Sequence, residues 1–225
     1  HLDLFIGTYK LYRKGWLKMF RYFNNVGIIE KTLSKDVIKK LKTCIKTTEK
    51  RKNSTQVANN SNSFLITDKK DWFFNTVLNP TIKEYTDRYT MSATVPPVVL
   101  EQGAPYILNR FWVNYQKKYE FNPVHNHTGV FSFVIWLKIP SSHKKECELP
   151  FVKDAILKRP NTFQMLFVNS LGDISQLDYN LEPEDEGKML FFSARFHHCV
   201  YPFYLSNKER ISVSGNIGLN LKKNV

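Results

Sequence analysis

The apolar positions follow two different rhythms along the chain. Up to about residue 89 they recur at helical spacing; beyond residue 105 they come in short β-branched and aromatic runs closed by turn residues. A first helix is expected over 34–52: Ser34 stands where an N-cap belongs, and Val37, Ile38, Leu41, Cys44 and Ile45 follow with lysines between them. The stretch NSTQVANNSNS, 53–63, reads as a polar loop. A second helical pattern runs from Asp71 to Tyr89 on Trp72, Phe73, Val77, Leu78, Ile82 and Tyr85, and Pro80 inside it predicts a kink or a break. The texture changes after Pro96-Pro97. Strands are expected at 106–115, 130–139, 162–169, 174–181, 188–196 and 209–219, with a charged, proline-bounded insertion at 141–160. Two helices followed by at least six strands predict an α+β, mainly β fold. The expected form is a β-barrel or double-sheet jelly roll with the N-terminal helices packed on one side.

The domain organisation follows the same division. Residues 19–95 form a lysine-rich helical support and 96–225 the barrel. The chain begins with His1, and Met19 opens a stretch that reads like a native start, so 1–18 is expected to be an appended or parent-derived segment. At 225 residues and 26.5 kDa, the length allows one well-buried domain with a short appendage. The 42% hydrophobic share excludes wholesale disorder, and no run of 18 apolar residues offers a membrane span. Three scattered cysteines, Cys44, Cys147 and Cys199, make no CxxC, which points to a reducing, cytoplasmic compartment. The net charge of +13 is uneven: residues 1–53 hold 14 Lys/Arg against 4 Asp/Glu. That basic region can contact an acidic partner, though a solvated lysine face is the plainer reading.

Candidate chemistry lies in the β half, which holds five of the six histidines. His125 and His127 form an HxH just before a strand, where period-two alternation puts both rings on one face. His197-His198 follows another strand. Two or three imidazoles on a rigid frame suit a borderline divalent metal. Arg210 and Ser212 share one face of the last strand, with Ser214 and Asn216 after them. A guanidinium binds a carboxylate through two parallel hydrogen bonds, and a serine hydroxyl adds a third. A buried arginine there needs an anion, either an internal Asp/Glu or a dicarboxylate ligand.

HNH, FFSARFHHCVYPF and NKERISVSGNI together resemble the iron(II)- and 2-oxoglutarate-dependent oxygenases. The resemblance covers about 105–220. The wider stretch WVNYQ…HNHTG…SFVIWLKIP resembles the branch found in marine bacteria and their phages. It implies a double-stranded β-helix of the jelly-roll, cupin-like kind. It also implies Fe(II), 2-oxoglutarate and O2, and hydroxylation of a substrate with release of succinate and CO2. Carried over, His198 matches the distal metal ligand, with His197 the alternative, and Arg210 and Ser212 match the pair that holds the C5 carboxylate. The proximal motif departs from the family pattern. With His125 as first ligand the carboxylate position holds His127, giving a His125, His127, His198 set; with His127 first, that position is Gly129, as in a halogenating variant. Asn114 is a candidate donor to the 2-oxo acid, with Tyr115 facing away. Asn216, Trp112 and Trp136 are candidate pocket walls, core packing being the competing role for both tryptophans.

A non-catalytic metal-binding or interaction module on the same barrel is the alternative function. Arg210 and Ser212 speak against a three-histidine dioxygenase without co-substrate. No GxSxG, GxGxxG or Walker pattern is present, and Cys199 has no evident orienting partner, so hydrolase and nucleotide chemistry are not indicated. The substrate, whether small molecule, protein or nucleic acid, and the oligomeric state are not encoded in any motif.

Overall fold

The computed structural model describes residues 6–13, 16–23, 27–47, 51–53, 59–89 and 106–220. The Pro96-Pro97 boundary and residues 54–58 of the polar loop lie outside the described residues. Strands β1 (Ile6–Arg13) and β2 (Trp16–Phe23) pair with each other as an antiparallel hairpin that runs across the Lys18–Met19 junction. The remaining strands are β3 (Ile28–Thr32), β4 (Asn62–Leu65), β5 (Tyr106–Gln116), β6 (Asn122–His125), β7 (Phe131–Lys138), β8 (Thr162–Val168), β9 (Ile174–Asn180), β10 (Lys188–Ser193), β11 (His197–Val200) and β12 (Arg210–Leu219). They build a six-stranded sheet, β3-β10-β7-β12-β5-β4, and a four-stranded sheet, β6-β11-β8-β9, both antiparallel. This is the expected jelly roll.

Helix α1 (Lys35–Thr47) starts as expected: the Val37 amide donates to Ser34 Oγ at 3.3 Å, and the Ile38 amide to Ser34 O. The second helical region opens earlier than expected, because the Asp68 carboxylate accepts from the amides of Phe73 and Phe74, both at 2.8 Å. A widened turn at Phe74–Leu78 precedes α2 (Asn79–Arg88), whose first turn holds Pro80. There the proline's missing N–H costs nothing, so the helix is reshaped ahead of the proline instead of being broken at it.

Side-chain alternation sorts the large sheet into two faces. Phe131, Phe133 and Ile135 of β7, Met189 and Phe191 of β10, and Val213 of β12 pack with Phe73, Leu78 and Tyr85 beneath the helices. Val134, Trp136, Leu190 and Phe192 point the other way, to Phe163 and Met165 of the small sheet. Strand β7 is therefore apolar on both faces, while β5 and β12 keep a polar face toward the barrel interior.

One expectation needs correction. The polar loop 53–63 ends inside the sheet: β4 begins at Asn62, and Asn53 and Ser63 are buried and bonded to each other through side chain and backbone. Those bonds replace water for backbone groups that local polarity had assigned to solvent. The insertion 141–160 stands between β7 and β8, as expected, and is anchored on the barrel. It contains α3 (His143–Glu146), and the fully buried Glu146 carboxylate accepts from the amides of Tyr204 and Leu205 at 2.9–3.0 Å, and from the Ser141 hydroxyl. The insertion thereby holds the segment between β11 and β12.

Candidate metal and co-substrate site

His125, the last residue of β6, lies opposite His198 of β11 in the small sheet. His127 is past the end of β6, so strand alternation is not what places it. Its backbone amide donates to Ala194 O at 2.9 Å, and that tie brings its ring to the other two. The ring centroids are 4.3 Å (His125–His198), 4.9 Å (His127–His198) and 5.0 Å (His125–His127) apart. One nitrogen from each ring lies within 4.8 Å of the other two. His197 faces outward, exposed, with Nε2 3.4 Å from the amide of Asn126.

The chain fixes the tautomers of two of these rings. Nδ1 of His125 is 2.7 Å from Pro123 O, and Nδ1 of His198 is 3.0 Å from Phe196 O. A carbonyl can only accept, so each Nδ1 carries its proton and each Nε2 keeps a lone pair. Burial pushes the pKa of all three imidazoles down: His127 to about 4, with His125 adding to the effect; His198 well below the usual range, with both neighbours contributing; and His125 against a partial rise from the Pro123 carbonyl. Three neutral imidazoles with converging lone pairs form a donor set that fits a divalent cation. Phe163 stacks on His198 at 5.4 Å, and Phe192 meets it edge-on at 5.3 Å.

A cavity of about 50 Å³ opens beside the histidines, enough for several waters or part of a small ligand. Its lining includes Trp112, Asn114, Trp136, Arg210, Ser212 and the three histidines. Register explains the company: β12 pairs with β5 so that Arg210 faces Gln116, Ser212 faces Asn114 and Ser214 faces Trp112, all on the interior side. Tyr115 turns to the helix-side core, as expected, against Phe64. Trp112 lies 5.8 Å from the His127 ring; Trp136 both lines the cavity and meets Phe163 edge-on in the core. Asn216 is not among the lining residues. Its Oδ1 accepts from Ser132 Oγ at 2.9 Å, next to the register shift in β12 that follows it.

Arg210 is 2% exposed, and among the described residues no carboxylate lies within hydrogen-bonding distance of it. Nε and Nη2 donate to Gln116 Oε1 (3.3 and 2.8 Å), Nη2 also to Tyr201 O (3.0 Å), and Nη1 to Asn161 Oδ1 (2.8 Å). The guanidinium also lies over the Phe203 ring at 5.4 Å. Burial lowers its pKa to about 9, partly offset by the charge of Glu146, so it stays protonated at neutral pH. A buried cation held by neutral oxygens at a cavity wall is a site for an anion. Asn122 adds a second sign of ligand chemistry: its buried Oδ1, in the same lining, has no hydrogen-bond partner among the described residues.

Sequence reasoning missed Gln116, Asn161 and Tyr201. Gln116 was within reach, two residues past Asn114 on the same strand face. Asn161 gave no signal: it adopts φ 54° after Pro160, and its Nδ2 donates to Ser141 O and Leu181 O. Cys199 is buried with its thiol near Gln164 Oε1, and burial raises its pKa, which is the setting of an inert thiol.

Residues 110–216 match the sequence family described as "Putative 2OG-Fe(II) oxygenase". No curated protein matches the chain. Among solved structures, an oxidoreductase of the 2OG-Fe(II) oxygenase family from Burkholderia pseudomallei is similar at 12% identity, with 86% of each chain covered and a TM-score of 0.50. EvdMO1 is similar at 14% identity and TM-score 0.50, over 95% of this chain and 55% of its own. A Pseudomonas putida prolyl-4-hydroxylase shares 14% identity over 84% of this chain and 90% of its own, at TM-score 0.49.

Proposed function

We propose, on the premise that residues 110–216 form the barrel of a 2OG-Fe(II) oxygenase, that the chain hydroxylates a substrate through His125, His127 and His198 as metal ligands and Arg210 with Ser212 as the co-substrate clamp. The family implies Fe(II), 2-oxoglutarate and O2. The observation that carries the reading is the convergence of three neutral imidazoles and a buried, anion-free guanidinium on one cavity. Iron(II) bound there supplies oxidative decarboxylation of 2-oxoglutarate to succinate and CO2, with activation of O2 for hydroxylation.

The protein's own groups bind, orient and exclude water. The Pro123 and Phe196 carbonyls hold two Nε2 lone pairs toward the metal position. Gln116, Asn161 and Tyr201 O aim Arg210 so that the far carboxylate of 2-oxoglutarate meets the guanidinium, with the Ser212 hydroxyl adding a donor. Asn114, opposite Ser212, donates to the same ligand. Trp136, Phe163 and Phe192 keep bulk water from the histidines. A third imidazole in place of a carboxylate leaves one more positive charge at the metal than a two-histidine, one-carboxylate site. Three cysteines scattered along the sequence without a CxxC pattern support a reducing, cytoplasmic setting, and no helix among the described residues is long and apolar enough to cross a membrane.

The test is succinate formation by iron-loaded protein given 2-oxoglutarate and O2. Succinate that disappears in Arg210→Ala supports the reading. Binding of iron and 2-oxoglutarate without succinate, across a broad substrate panel, makes the chain the non-catalytic module instead.

A further inference from the structure

A second hollow lies on the outer, helix-side face of the large sheet, beside α1. Two adjoining cavities of about 660 and 420 Å³ share Lys42, Lys46, Leu137 and Glu186, and so form one groove between the helix and β7. Its floor is apolar: Leu33, Ile38 and Ile45 from the helix side, Leu137, Ile211 and Tyr115 from the sheet. Its rim is cationic. Lys35, Lys39, Lys42 and Lys46 follow at i, i+4, i+7 and i+11, one face of α1, and Lys138 stands on the sheet side. None of the five has an ion-pair partner among the described residues. The one acid in the groove, Glu186, is committed through Oε1 to the Ile139 amide.

We propose that this groove docks an acidic amphipathic helix of a partner protein, laid along α1 with its apolar side on the floor. Charge spacing selects that occupant. The four helical lysines extend over about 16 Å at 1.5 Å per residue, and carboxylates recurring at one-turn intervals on a second helix match them. A single-headed lipid anion meets one or two of the lysines and leaves the others unpaired. A nucleic acid gains nothing from an aliphatic floor, and Tyr115 is the one aromatic ring in the groove to stack on. The groove gathers four of the fourteen Lys/Arg of residues 1–53. It does not depend on the catalytic reading, since it lies on the opposite face of the sheet from the metal cavity.

The experiment is fluorescence anisotropy with a labelled amphipathic peptide of about 15 residues, carrying glutamates at i, i+4, i+7 and i+11 and leucines on the adjoining face. A second peptide has glutamine for every glutamate. The proposal expects saturable binding of the acidic peptide, a tenfold or greater loss with the glutamine peptide, and a similar loss in Lys39→Glu/Lys42→Glu/Lys46→Glu. All three lysines are exposed, so the variant's melting temperature should match the parent's. Equal binding of both peptides, or unchanged affinity in the triple variant, overturns it. So does lysine-dependent binding of phosphatidylserine vesicles or of a single-stranded oligonucleotide in the absence of peptide binding, each of which assigns the groove to that other partner.

Discussion

At the scale of single residues, the account turns on lone pairs and one buried charge. His198 differs from its neighbour His197 in facing inward, with its Nδ1 proton tied to Phe196 O. His198→Ala is therefore expected to abolish stoichiometric iron(II) binding, while His197→Ala leaves it intact; metal content after desalting reads both. The reverse pattern moves the site by one residue. Arg210 is tied by three neutral oxygens and has no carboxylate among the described residues within hydrogen-bonding distance. A charge-assisted hydrogen bond contributes roughly 1.5–3 kcal/mol, so Arg210→Ala should weaken 2-oxoglutarate binding by tenfold or more without displacing the metal. Calorimetry on metal-loaded protein checks this, and unchanged affinity removes Arg210 from the clamp.

At the scale of elements, the insertion 141–160 acts on the site through the segment it holds. Glu146 accepts two backbone amides from residues 204–205, and the same segment supplies Tyr201 O to Arg210. Glu146→Ala takes the acceptor from two amides of a part-buried segment, at a cost on the order of 1–3 kcal/mol in all. Urea unfolding should show a midpoint lowered accordingly, and 2-oxoglutarate affinity should fall with it. A stability loss with unchanged affinity limits Glu146 to holding the fold. The six longer barrel strands were legible in the sequence to within a few residues, because each carries its own β-branched and aromatic run. Strands β3, β4, β6 and β11 were not. Each has four or five residues, and their pairing is set by distant partners such as His198 opposite His125. The HxH pair was legible as a candidate, but strand alternation was the wrong reason for it, since a backbone bond to Ala194 positions His127. The Arg210 supports show the same limit: Gln116 follows from parity along β5, whereas Asn161 and Tyr201 arrive from turns that no local pattern announces.

At the scale of the whole molecule, the two proposed sites lie on opposite faces of one sheet. The interior face of β5 and β12 carries the polar cavity residues, and the helix-side face carries the larger core and, at its margin, the lysine groove. A metal held by His125 and His198 would join β6 to β11 and so should stabilise the fold by mass action, about 2.7 kcal/mol at a free concentration one hundred times its dissociation constant. A melting temperature that rises with iron(II) or nickel(II) and falls back on chelation is the expected result; no shift at saturating metal contradicts the three-histidine site. The most direct test of the central claim is anaerobic titration of iron(II)-loaded protein with 2-oxoglutarate, followed by the weak visible charge-transfer absorption of the chelate. The account predicts a band that saturates near one equivalent and is lost or strongly right-shifted in Arg210→Ala. Iron bound with no band at any 2-oxoglutarate concentration contradicts it, and leaves a metal-binding barrel without its co-substrate.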